Sequence, residues 1–179
     1  MVVKDKDIIL AMKENPDKGF RLLMVAYKES VYWHIRRLVV DHADAQDAAQ
    51  ETFVRIFRSW GQFDESSSLS AWIFRIATNE ALRILSRHHE EQLSLDRDIA
   101  VAYGVPADAY VDYGDLESVK LQNAILSLPT KQQVVFNLRY YDELSYDEIA
   151  QIVDSTASAA KANYHIAKDK IVQYMDSHD

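Results

Sequence analysis

Apolar residues recur along this chain at intervals of three and four, the spacing of one helix face, and strict alternation is scarce. Phe20, Leu23, Tyr27, Val31 and Leu38 mark one such face across residues 17–41, behind Pro16 at a favourable early helix position. A short helix over 5–14 precedes it. Asp44 is placed as the N-cap of a helix over 44–60, and the serine cluster at 66–68 opens another over 68–88, with Ile73, Ile76, Ala77, Ala81 and Ile84 as its core face. Further on, a helix over 116–127 ends before Pro129. Thr130 with Gln133 and Ser145 with Glu148 each have the spacing of a capping box, predicting helices to about Tyr141 and to Val153. Tyr146, Ile149, Ala150 and Val153 share a face of the second. After a turn of about four residues, Ala160, Tyr164, Ala167 and Ile171 line one side of a last helix. Two short helices about a tight turn predict a helix-turn-helix.

The pattern lapses between these groups. Residues 91–115 hold two of the four glycines and one of the three prolines without a sustained helical repeat, and are predicted to be a linker. The expectation is an all-α fold: a helical domain over 1–90, an acidic linker over 91–115, and a smaller helical domain over 116–179. With no cysteine, disulfides and thiolate metal sites are excluded. Apolar runs fall short of the roughly 20 residues that cross a bilayer, and the N-terminus lacks the apolar stretch of a secretory signal. A cytoplasmic protein without membrane insertion is expected.

A net charge of −8 spread evenly would oppose a nucleic-acid partner. It is not even: residues 1–89 carry 13 Lys and Arg against 12 Asp and Glu, while residues 90–119 carry 1 against 8. The last helix keeps Lys161, His165 and Lys168 away from its apolar seam, with Ser158 and Ala162. In a helix-turn-helix such positions reach base edges and phosphates, though a solvated helix face has the same composition. On the helix over 68–88, Trp72, Arg75, Asn79, Arg83 and Ser86 share a stripe opposite the core face. Aromatic, amide and guanidinium groups together suit unpaired bases and their backbone, against the plainer reading of a core tryptophan beside surface arginines.

A third cluster, Asp44, Asp47, Gln50 and Glu51, crowds the start of one helix. Negative charge there complements the helix dipole, and also forms an acidic docking face for a basic partner. Asp47 and Glu51 have no second carboxylate set or histidine at ligand spacing, so neither a metal nor a cofactor is expected. His88 and His89 point about 100° apart on a helix and are read as a polar helix end. An α-helical enzyme finds no convincing nucleophile, base or metal set.

In this order and spacing, DAQDAAQETFVRIFRSW, FDESSSLSAWIFRIATNEALRIL, LQNAILSLPTKQQVVFNLRYYDELSYDEIAQIV and the last helix resemble the extracytoplasmic-function sigma factors, two-domain members of the sigma-70 superfamily that give bacterial RNA polymerase its promoter specificity. The resemblance implies a region-2 domain over 1–90 that docks on core polymerase and opens the minus-10 element, and a region-4 domain over 116–179 that reads the minus-35 element. It implies that Asp44, Asp47, Gln50 and Glu51 dock on polymerase. It assigns the minus-10 segment to residues 63–87, with Phe63, Asp64, Ser66, Ser67, Ser68, Trp72, Arg75, Asn79 and Arg83, and the minus-35 helix to Ser158, Lys161, Ala162, His165 and Lys168. Partners implied are core RNA polymerase and promoter DNA, with an anti-sigma factor as a third candidate, since many members are held inactive by one. The chain departs from the family at Asp154, where a turn glycine is usual, and at Asn163 and Ile166, commonly basic. Asp tolerates left-handed backbone, so the turn is expected to survive. The rival reading is a response-regulator-like helix-turn-helix activator, which would need a receiver domain or a dimerisation helix.

Overall fold

The computed structural model describes residues 2–95 and 115–178, and every regular element in them is helical. The expected linker over 91–115 lies mostly outside these residues. Its first part does not: the fourth helix runs on to Leu95.

Four helices form the N-terminal group: α1 Asp5–Glu14, α2 Pro16–Val39, α3 His42–Ser59 and α4 Leu69–Leu95, with a 3₁₀ turn Trp60–Gln62 after α3. Local chemistry sets their starts. The Asn15 side chain accepts the Lys18 N–H with Pro16 at the first helical position, and the Ser68 hydroxyl accepts the Ala71 N–H at the head of α4. The cap of α3 is Asp41, one turn earlier than expected, and its carboxylate accepts the Asp44 N–H at 2.9 Å. Both aspartates have the right spacing; the chain takes the first because Val40 turns sharply before it, with φ 70° and the Asp41 N–H closing on the Val39 carbonyl.

The C-terminal group is α5 Leu116–Leu126, α6 Thr130–Tyr140, α7 Tyr146–Val153 and α8 Ala157–Ser177. The Ser145–Glu148 capping box is formed in both directions. The Thr130–Gln133 box is not: Pro129 holds the N-cap position, which places Thr130 one residue too far into the helix. Gln133 instead donates to the Leu126 and Leu128 carbonyls, satisfying the open end of α5. Between α7 and α8, Asp154 stands in the left-handed region at φ 52° and ψ 55°, as the turn requires.

Ile8, Leu23, Val31, Ile35, Ile56, Ile73 and Ala77 form the core of the first group. The same cluster continues without a break through Val134, Val135, Leu138, Leu144, Ile149, Ile152 and Ala160 of the second. A smaller one, Ala124, Ile125, Leu128, Phe136, Ala167 and Ile171, ties α5 and α6 to α8. The helix-turn-helix is therefore packed on the N-terminal group, with α7 against α4 and α6 against α2.

The crossing of α1 and α2 depends on Gly19. A Cβ there would stand 2.4 Å from the Met12 nitrogen and 2.6 Å from its Cα, backbone atoms that cannot rotate aside. In an open helix Gly→Ala stabilises by about 1 kcal/mol. Here overpacking reverses the sign: Gly19→Ala is predicted to destabilise by about 1–3 kcal/mol, read from the denaturant midpoint. A raised midpoint would contradict this crossing.

Candidate nucleic-acid and polymerase interfaces

The expected minus-10 segment divides into an aromatic wedge, a bonded loop and an exposed stripe. Phe63 and Trp72 are only partly exposed. With Trp60 they form a trio whose centroids lie 5.2 to 5.8 Å apart, so Trp72 is packed in this wedge and does not stand on an open stripe. Arg75, Asn79, Arg83 and Ser86 are exposed as expected, opposite buried Ile73, Ala77, Ala81 and Ile84. Periodicity assigns a direction to each side chain; it cannot foresee that Trp60, outside α4, closes over Trp72.

Asp64 to Ser68 holds itself in shape. The Asp64 carboxylate accepts both the N–H and the hydroxyl of Ser66, at 2.9 and 2.8 Å, while the Ser67 N–H and hydroxyl donate to the Asp64 carbonyl. The two Ser66 donors favour the ionised form and hold the Asp64 carboxyl below the usual aspartate range. Ser68 faces the other way: its hydroxyl donates to Glu148 Oε2 of α7 at 2.7 Å. Near the base of the loop, the Tyr27 hydroxyl donates to Asp5 at 2.6 Å and meets Ser70 at 2.7 Å, and burial is the first cause raising its pKa.

The four docking positions share one arc of α3, and two of them are engaged within the fold. Asp44 pairs with His88 of α4 at 2.7 Å, and Glu51 with Arg55 at 3.3 Å. Arg55 reaches buried Glu80 at 2.6 Å, and Arg83 stands 3.7 Å from the same oxygen, so this side of α3 is tied to α4. His88 is thus a cross-helix partner as well as part of a polar helix end. Asp47 and Gln50 are exposed and border an open groove of about 1480 Å³ between α2 and α3. Phe20, Met24, Tyr32, Phe53 and Phe57 give it an apolar floor, with Phe57 half exposed and edge-on to Phe20 at 5.2 Å. The sequence signal for this groove, an exposed Phe57 one turn after buried Phe53, is separated from Phe20 and Met24 by the α2–α3 turn.

On α8, Ser158, Lys161, Ala162, His165 and Lys168 are all exposed, while Ala160, Ala167 and Ile171 are buried. The Thr156 side chain accepts the Ala159 N–H and fixes the helix start. Across the turn, Arg75 of α4 meets Asp154 at 3.1 Å and donates to the Gln151 carbonyl at 3.3 Å. Deeper in, buried His34 Nδ1 stands 3.5 Å from Asp142 Oδ2, and the Arg37 guanidinium lies 4.0 Å over the Tyr141 ring. Among the described residues, no group of three or more histidine and carboxylate side chains could hold a metal ion, and no helix is long and apolar enough to cross a membrane.

Comparison with known proteins places the same segments in the same order. The profile of Sigma-70 region 2 matches residues 23–91, and that of Sigma-70, region 4 matches residues 118–171. The ECF RNA polymerase sigma factor SigW of Bacillus subtilis is 29% identical over 96% of this chain and 95% of its own. The ECF RNA polymerase sigma-E factor of Escherichia coli K12 is 28% identical over 93% and 92%. Among solved structures, CnrH in complex with the cytosolic domain of CnrY superimposes with a TM-score of 0.74 at 21% identity, over 98% of this chain and all of that one. The sigma factor RpoE of Bartonella quintana, bound to the anti-sigma factor NepR, gives 0.73 at 21% identity over 90% and 99%.

The self-bonded loop yields a test. A carboxyl of depressed pKa contributes to loop stability above the ordinary aspartate range and loses that contribution as pH falls through the lowered value. The Asp64 side chain is predicted to titrate by NMR below the ordinary aspartate range, and Ser66→Ala to move it upward. An ordinary midpoint unmoved by Ser66→Ala would show that the loop is not held this way.

Proposed function

The chain belongs to the extracytoplasmic-function group of the sigma-70 family, and from that premise we propose how its surfaces bind core RNA polymerase and direct promoter recognition and transcription initiation. The observation that carries the reading is that one chain bears, in order, matches to regions 2 and 4, with an exposed Arg75–Asn79–Arg83 stripe on the first and an exposed Lys161–His165–Lys168 face on the second. An activator of the response-regulator type would not have region 2 in its N-terminal half. The protein is read as a non-enzymatic specificity subunit that works in the cytoplasm with the polymerase and needs no cofactor.

Polymerase docking is assigned to the α2–α3 groove and its rim. Apolar floor and acidic edge do different things: burial of Phe20, Met24 and Phe57 supplies affinity, while Asp47 steers a basic partner and sets register. Gln50 donates and accepts beside it. Asp44 and Glu51 are assigned a secondary role, because His88 and Arg55 already engage them. An anti-sigma factor is the third proposed partner, since RpoE, a protein of the same fold, was solved with the anti-sigma factor NepR bound.

On DNA the two surfaces divide the work. Lys161 and Lys168 contact duplex phosphates of the minus-35 element, with Ser158, Ala162 and His165 towards base edges. Residues 63–87 open the minus-10 element: the Trp60–Phe63–Trp72 wedge supports the Asp64–Ser68 loop, which receives an unpaired base, while Asn79 supplies an amide and Arg75 and Arg83 hold the strand. Because the wedge is packed, Phe63 and Trp72 act mainly by shaping the loop.

Titrating the protein against core polymerase in competition with a housekeeping sigma factor tests docking. Reversing Asp47 and Glu51 to Lys is predicted to weaken core binding by about 1–3 kcal/mol, most of it from Asp47. Unchanged affinity in a folded double variant would remove this assignment. For the strand-opening surface, Asn79→Ala is predicted to leave closed complexes intact and depress permanganate reactivity of unpaired thymines, with base capture worth about 1–3 kcal/mol. Full opening by the folded variant would show the stripe to be ordinary surface.

A further inference from the structure

Ile166 lies on α8 with 46% of its surface exposed, and among the described residues it joins neither apolar cluster. Buried Ala160, Ala167 and Ile171 fix the inner side of the helix. At about 100° per residue, Ser158, Ala162 and His165 stand opposite them as an exposed strip. Lys161 and Lys168 flank this strip on one edge, and Ile166 flanks it on the other, one turn beyond Ala162. The next cation round that edge, Lys170, donates to Gln132 of α6 at 3.2 Å. Exposed Asp169, one turn beyond His165, sets the far limit of the strip, because a carboxylate there repels phosphate. The face is therefore divided lengthwise into a cationic edge and an apolar one.

A lone exposed isoleucine on a solvated helix has no consequence. Here it borders Ala162 and His165 on the last helix of the region-4 match, so a duplex held by Lys161 and Lys168 brings it against base edges. Isoleucine has no donor or acceptor to offer them. Against guanine, adenine or cytosine in the major groove it covers N7, O6 or an amino group and leaves that group unpaired, which costs binding. Thymine alone presents a methyl group there, and contact with it removes apolar surface from water on both sides.

We propose that Ile166, with Ala162 beside it, is a specificity-determining residue that selects a thymine in the minus-35 element by packing on its methyl group. The proposal rests on the assignment of α8 to the minus-35 element, and adds the base that its apolar edge selects. Lys161 and Lys168 supply affinity and register that depend on salt and not on sequence, while Ile166 supplies discrimination.

Holoenzyme assembled from core polymerase and the full chain is first used to select promoters from a duplex library. Each thymine on either strand of a selected minus-35 element is then replaced singly by deoxyuridine, which pairs alike and lacks the methyl. Closed-complex affinity is expected to fall about threefold to fourfold at one thymine, the effect of one methyl withdrawn from water. Ile166→Ala is expected to bind the thymine and deoxyuridine duplexes equally, and Ile166→Leu, which keeps an apolar end, to retain the preference. Lys161→Ala is expected to weaken both duplexes by the same factor. Selected minus-35 elements without thymine, affinity indifferent to deoxyuridine at every position, or an undiminished methyl preference in Ile166→Ala would each overturn the proposal. If no promoter is selected at all, the proposed promoter recognition falls and this proposal with it, so the two failures are distinguished.

Discussion

The packing of α7 against α4 organises this molecule. An eight-residue helix has too few turns to persist alone, and α7 is held from two sides, by α8 across the turn and by α4 of the N-terminal group. Ile149 and Ile152, one turn apart on the same side of this helix, are both buried. Whatever displaces α7 from α4 exposes apolar surface on both, and the cost of that exposure is what any partner that separates the groups must supply.

Charge is organised locally, which is how an acidic chain can present nucleic-acid surfaces. The buried Glu80 carboxylate lies between Arg55 and Arg83 and ties α3 to α4, so the docking helix and the stripe helix are set relative to one another by ionic contacts as well as by their core. Acidic residues that face this network are consumed in the fold. Asp47 is the exception: exposed, it borders both this network and the groove, and is left for a partner. The basic face of α8 is small, and in the proposed assembly most DNA affinity comes from the polymerase.

Much of this was legible in the sequence. Helix periodicity predicts the all-α class, the Ser145–Glu148 box marks the start of α7, and the aspartate at 154 adopts the left-handed geometry the turn needs. Errors came where two local signals competed: Asp41 took the cap predicted for Asp44, and Pro129 displaced Thr130 from the cap of α6. What was not legible is contact between distant segments. Trp60 closing on Trp72, the Phe20–Phe57 groove floor and the Arg75–Asp154 pair each join residues that no local pattern links. One clue was present: Tyr146, Ile149, Ala150, Ile152 and Val153 give α7 a wider apolar arc than a single partner helix needs.

The central claim is that this chain supplies promoter choice to a polymerase that lacks it. Run-off transcription with core polymerase and a pooled promoter library tests it most directly. The account predicts discrete transcripts that depend on the added protein and share paired minus-35 and minus-10 elements. Transcription no different from core polymerase alone, by protein shown to be folded, would contradict it.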